Sequence, residues 1–121
     1  MCSLMQAPLS QLKRKVFKAF LVMAILAKLN RNGTSSGYDV IKHFHTNFGI
    51  STSASTVYNL LSNLEKDELV ASELQSNIKV YSLTKKGERQ LNQVRENLNE
   101  IQDFIKALLN TENTTNQQNQ T

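Results

Sequence analysis

Residues 51–84 read STSASTVYNLLSNLEKDELVASELQSNIKVYSLT, and the change of period inside this stretch decides the fold. Ser51, Thr52 and Ser53 supply hydroxyls suited to a helix N-cap, and Val57, Leu60, Leu61 and Leu64 recur at helical spacing up to about Glu68. The period then shortens. Leu69 to Leu74 and Ile78 to Leu83 read as strands around a three-residue connection, Gln75-Ser76-Asn77, with Ile78, Val80 and Tyr81 favouring extended backbone. Thr84 is placed to cap whatever helix follows.

Working toward the N-terminus, residues 36–48 form a short helix with Val40, Ile41 and Phe44 on its core face and Ser36 and Asp39 as a capping box. Asn32-Gly33 closes a longer helix over about 9–30, whose expected apolar face is Leu12, Val16, Ala19, Phe20, Met23, Leu26 and Ala27. Pro8 suits its first turn, and residues 1–8 are expected to be flexible. Toward the C-terminus, Leu91, Val94, Leu98, Ile101, Ile105 and Leu108 are spaced 3, 4, 3, 4, 3, the seam of a coiled coil, widened by Phe104 and Leu109. One helix over 84–110 is predicted, needing a second surface. The remaining residues, 111–121, are Asn, Gln and Thr with one Glu, a composition expected to be disordered.

Composition narrows the function classes. The 121 residues suit one domain, with 40% hydrophobic and 20% charged residues, four Gly and one Pro, which favours a mainly helical globular protein over collagen-like, all-β or disordered chains. The net charge is +4, and residues 1–30 contain Lys13, Arg14, Lys15, Lys18 and Lys28 with no acid, so the basic surface is local, as an anionic partner requires. The single cysteine, Cys2, supports neither an intrachain disulfide nor a zinc site by itself, and points to a cytoplasmic setting. The apolar run from Ala19 to Ala27 is far too short to span a bilayer. It follows a basic stretch, as in a signal peptide, but it continues as a helical stripe and lacks a clear small-residue cleavage site.

Catalytic constellations are missing from the sequence. His43 and His45 point in different directions on a helix, the chain has no Gly-rich phosphate loop, and Glu96 and Glu100 read as a solvated face. No enzyme activity, cofactor or metal is expected.

Three helices, a two-stranded hairpin and a final helix follow one another in the order of a winged helix-turn-helix, so the expected class is mainly α with a small β-hairpin, followed by a long dimerisation helix. The winged domain is placed at 9–83, with helices at about 9–30, 36–48 and 53–67 and the wing at 69–83. Residues 37–91 resemble the PadR family of transcriptional regulators. The resemblance lies in Ser36-Gly37-Tyr38-Asp39-Val40-Ile41, then Ser53, Thr56-Val57-Tyr58, Leu61, Leu64-Glu65 and Leu69-Val70, and finally Tyr81-Ser82-Leu83-Thr84-Lys85-Lys86-Gly87 with Leu91. The chain departs from the family pattern at Ser55 and Glu68, where Gly is usual, and at Asn59, where Pro is common.

If the third helix enters a major groove, Ser53, Ser55, Thr56, Asn59 and Asn63 are the expected base-reading residues, with an N-cap for Ser53 and solvated surface for the asparagines as the plainer alternatives. Expected phosphate contacts are Ser35, Ser36, Tyr38, Lys42, Tyr58 and Lys79. The expected dimer interface is Leu91, Val94, Leu98, Ile101, Phe104, Ile105 and Leu108. The resemblance implies a homodimer that binds double-stranded DNA, associates with the nucleoid, and represses transcription by occupying an operator. Two other uses stay open: a DNA-binding protein that spreads along DNA in segregation or chromatin organisation, and a non-enzymatic module that binds another protein. Whether a small molecule or a protein acts as effector is not specified by the residues.

Overall fold

The first helix does not run over 9–30 as one piece. In the computed structural model, which describes residues 2–110 and their side chains from Pro8 onward, α1 spans Cys2–Ala19 and α2 spans Leu21–Asn32. The helix thus starts earlier than expected, with residues 2–8 in helical backbone and Pro8 inside it. Phe20 departs from helical geometry (φ −102°, ψ 12°), yet the hydrogen-bond ladder continues, from Phe20 N to Val16 O at 3.0 Å and from Ala24 N to Phe20 O at 2.8 Å.

The interruption comes with a change of face. Leu21, Ile25, Leu26 and Leu29 are buried, whereas Leu12 and Val16 are 54% and 45% exposed, so the stripe expected over 12–27 does not face one core. Gly33 ends α2 at φ 82°, a conformation glycine adopts without strain.

Thr34–Ser36 form a short strand, β1, which the sequence pattern does not announce. Three residues are too few to display a two-residue alternation. Ser36 also caps α3 (Gly37–Phe48): its Oγ accepts from Asp39 N at 3.1 Å, and its own N–H donates to the Asp39 carboxylate at 3.1 Å. α3 directs Val40 and Phe44 inward, and Phe17 of α1 meets the Phe44 ring edge-on at 5.0 Å. After the turn at Gly49, Ser53 caps α4 (Ala54–Lys66), which buries Val57, Leu61 and Leu64.

The wing comprises β2 (Val70–Gln75) and β3 (Ile78–Leu83). Gln75 pairs directly with Ile78, so the connection is two residues, Ser76 and Asn77, and not three. Both have positive φ, 52° and 66°, the requirement of the tight turn whose twist matches paired strands. The sheet order is β1-β3-β2, antiparallel throughout, with Ser35 opposite Tyr81 and Ser72 on its other side.

α5 (Lys85–Glu96) begins at a close junction. The Thr84 hydroxyl, shared between the carbonyls of Glu68 (2.7 Å) and Leu69 (3.0 Å), accepts from Gly87 N at 3.1 Å. A Cβ on Gly87 would lie 2.2 Å from the Leu69 carbonyl oxygen, so only glycine fits. Leu91 then completes the core.

Among the described residues, 2–91 and 92–110 form separate compact units. In the second, the helix expected over 84–110 is interrupted at Asn97 (φ −108°, ψ 19°), whose side-chain amide donates to Gln93 O at 2.8 Å, and α6 spans Leu98–Leu109. Asparagine competes in this way with the helix's own ladder. Leu98, Phe104, Ile105, Leu108 and Leu109 are exposed. The tail expected to be disordered, 111–121, lies outside the described residues.

Candidate nucleic-acid interface

α4 presents one buried face and one polar face. Opposite Val57, Leu61 and Leu64, the residues Ser55, Asn59, Ser62 and Lys66 follow at spacings of four, three and four, all exposed and therefore on a single side of the helix. Thr56 and Asn63 flank this row and are also exposed. Asn59 and Asn63 have no side-chain partner among the described residues, which leaves their amide donors and acceptors available. Ser62 and Lys66 belong to the same row and were missed in the sequence reading, although the spacing from Ser55 and Asn59 marks them.

Ser53 is committed to capping. Its Oγ accepts from Thr56 N at 3.1 Å and donates to Thr56 Oγ1 at 2.7 Å, with Ser55 Oγ 3.3 Å away. The three hydroxyls therefore form one cluster at the N-terminal end of α4, where unpaired backbone N–H groups and the helix dipole favour negative charge.

Two clefts flank α4. The first brings Ser36, Tyr38, Tyr58 and the wing residues Ser76, Ile78 and Lys79 together. Its geometry depends on Gly37, because a Cβ there would lie 2.3 Å from the Tyr58 ring. The Gly37-Tyr38 and Val57-Tyr58 motifs are thus two halves of one contact between α3 and α4. Tyr38 and Tyr58 are 65% and 44% exposed, and Lys42 is exposed on α3. Ser35 is different. It is 2% exposed and faces Tyr81 across the sheet, so its side chain is withdrawn from any phosphate, contrary to expectation.

The second cleft, with a volume of about 140 Å³, lies between α1 and the turn before α4; Arg14 and Lys18 line it together with Thr52, Ser53 and Thr56. Two of the four clustered α1 cations, Arg14 and Lys18, therefore lie beside the N-terminal end of α4. Helical periodicity alone could not show this, because it requires the packing of α1 through Phe17 against Phe44 and Phe48.

Glu65 connects α4 to the wing. Its carboxylate accepts from Ser72 Oγ on β2, and it lies 3.5 Å from Lys79 Nζ on β3. The Ser72 hydrogen bond, followed by the Lys79 charge, holds the carboxyl below the ordinary range despite some desolvation. On α3, His43 is shifted below its ordinary value by burial first, then by Lys28 and Arg31. It is mainly neutral at pH 7 and adds little charge to that basic face.

Of the expected dimer residues, Leu91 is corrected. It is 3% exposed inside the first unit's core and is unavailable to a partner. Val94 and Ile101 are half-buried, while Leu98, Phe104, Ile105 and Leu108 remain exposed. Among the described residues, no group of three His, Cys, Asp or Glu could hold a metal ion, and no helix is long and apolar enough to cross a membrane.

The architecture has close counterparts. A PadR family transcriptional regulator from Eggerthella lenta superposes with a TM-score of 0.72 at 29% identity, covering 87% of this chain and 95% of that one. A PadR-like regulator from Bacillus cereus gives 0.68 at 22% identity, covering 79% and 97%. PadR of Bacillus subtilis, solved in complex with operator DNA, gives 0.52 at 31% identity over 60% of this chain and 46% of that one. No curated protein matches the chain. The family model described as "Transcriptional regulator PadR-like family" matches residues 25–93, which run from the buried face of α2 through both tyrosine motifs and the wing to Leu91. With the winged fold, the α3–α4 contact and more than half of the sequence in agreement, the chain belongs to the PadR-like family of transcriptional regulators.

Proposed function

We propose that the protein is a homodimeric repressor that binds a specific double-stranded DNA operator and acts by occluding it. The observation that carries this reading is the polar face of α4, with its unpartnered amides, between two clefts that hold exposed hydroxyls and cations. Ser55, Thr56, Asn59 and Asn63 read bases, and Asn59 is suited to the paired donor and acceptor of adenine in the major groove. Ser53 contributes by fixing the first turn of α4. Ser36, Tyr38, Lys42 and Tyr58 contact phosphates, joined by Arg14 and Lys18 at the other side of the helix, while Lys79 lines the same cleft paired with Glu65.

Dimerisation uses the apolar residues of α6, Ile101 among them, with Val94 of α5 beside them. Two α4 helices then meet half-sites about 34–36 Å apart, or a multiple of that, on one face of the duplex. The operator complex of the Bacillus subtilis relative supports DNA as the partner.

The test is genomic occupancy of the tagged protein, followed by gel shifts of its strongest site and a scrambled duplex over a salt series. Discrete promoter peaks are expected, with specific binding that Asn59→Ala weakens by about 1–3 kcal/mol. Broad coverage spreading from a nucleation site would overturn the repressor reading in favour of DNA organisation. Absence of DNA retention at low salt would overturn DNA binding altogether.

A further inference from the structure

The wing carries little charge with which to hold a polyanion. Residues 70–83 contain one cation, Lys79, and one acid, Glu73. Lys79 does not stand alone: its Nζ is 3.5 Å from Glu65 and 5.6 Å from the centre of the Tyr81 ring. Glu65 belongs to α4, and the same carboxylate accepts a hydrogen bond from Ser72. One side chain of the recognition helix therefore touches both strands of the wing. With side chains 51% and 37% exposed, the ion pair adds little to folding. Its effect on a phosphate is larger, because a cation beside a carboxylate presents almost no net charge at the distance of a DNA backbone.

We propose that Glu65 is a positioning residue: its carboxylate holds the wing against α4 and offsets Lys79, so that DNA of arbitrary sequence is bound weakly and sequence reading is left to α4. This deepens the DNA-binding reading and depends on it. Electrostatic contacts to phosphate strengthen binding to every sequence alike, so muting one of them lowers the affinity for DNA of arbitrary sequence and leaves discrimination between sequences to the base contacts of α4.

The experiment measures binding of the full chain to a random-sequence 30-base-pair duplex by fluorescence anisotropy over a salt series. It compares the wild type, Glu65→Gln, Lys79→Gln and the double variant. Gln keeps an acceptor for Ser72 and nearly the same volume, so the wing stays in place while the charge is lost. Glu65→Gln is expected to bind the random duplex about threefold to tenfold more tightly, with a salt slope steeper by about 0.9, the value for one added phosphate contact. Lys79→Gln alone leaves the Glu65 carboxylate uncompensated and is expected to weaken binding by about threefold, and the double variant to return to wild-type affinity.

Ser72→Ala removes the hydrogen bond without a change of charge and is expected to leave the slope unaltered. An unchanged slope in Glu65→Gln, a loss of affinity, or a gain that persists without Lys79 would each overturn the proposal while leaving DNA binding intact. A wild-type chain that fails to bind at low salt would overturn the DNA-binding reading itself.

Discussion

Val57, Leu61 and Leu64 of α4 are no more than 4% exposed, whereas Leu98, Ile105 and Leu108 of α6, repeating at the same kind of helical spacing, are 45%, 43% and 63% exposed. The two helices are similar in length and amphipathic pattern, and their surroundings differ. α4 has α3 and the wing against its apolar face, with Val40, Phe44, Val70 and Tyr81 filling the same core. Within residues 92–110, α6 has no such cover. A periodic apolar stripe establishes that a helix face needs a partner surface; it does not establish whether that surface comes from the same chain.

This contrast fixes what mutations should do. The largest effect is expected from Phe44→Ala, which empties the centre of the first unit and should destabilise it by about 3–5 kcal/mol, read from denaturant unfolding. A loss below about 1 kcal/mol would mean that the first unit's core is not closed as described. Gly87→Ala comes next. The new methyl meets the Leu69 carbonyl, and forced displacement of the junction is expected to lower stability by about 1–3 kcal/mol, with exchange protection lost first at the β2–α5 junction.

Ile105→Glu tests the other side of the comparison. In light scattering it should convert the proposed dimer to a monomer, while the hydrogen-exchange pattern of α3, α4 and the wing stays as in the wild type. Equal loss of protection in both units would show that α6 is part of one shared core.

The smallest effect concerns Glu65. Because its folded-state pKa is depressed, the stability it contributes is fully present above the unfolded glutamate value, about 4.3, and is lost as pH falls through the lower folded value. The stability curves of the wild type and Glu65→Gln should differ at neutral pH and converge in acid. A constant difference across that range would separate Glu65 from the wing.

Much of the first unit was legible because local and long-range signals agree. Ser36 and Asp39 announce a capping box and form one; Ser53 announces a cap and forms one. The three-four spacing of Val57, Leu61 and Leu64 correctly separated the core face of α4 from its polar face, and so led to Asn59. Glu68 stood out as a departure from a glycine-favouring pattern, and its φ of 63° explains the preference, since a side chain in this conformation is strained.

The misses have equally specific causes. β1 escaped notice because three hydroxyl-rich residues gain their strand character only from the neighbouring β3. The interruption at Phe20 carries no helix-breaking residue to mark it, and its ladder remains hydrogen-bonded. Leu91 fits the coiled-coil seam by spacing and the winged core by position, and only its burial with Leu69, Val70 and the rest of the first core decides between them. The cations of α1 could be counted but not placed.

The sequence by itself determined the order of elements, the caps, the inward face of each short helix and the family resemblance, because these depend on residues a few positions apart. Tertiary structure alone decided that Ser35 is buried, that Leu91 belongs to the first core, that Arg14 and Lys18 reach the start of α4, and that Glu65 bridges both strands of the wing. Each of these joins segments distant in the chain, and their proximity is set by the packing of α1, α3, α4 and the sheet around Phe44, which no local period encodes.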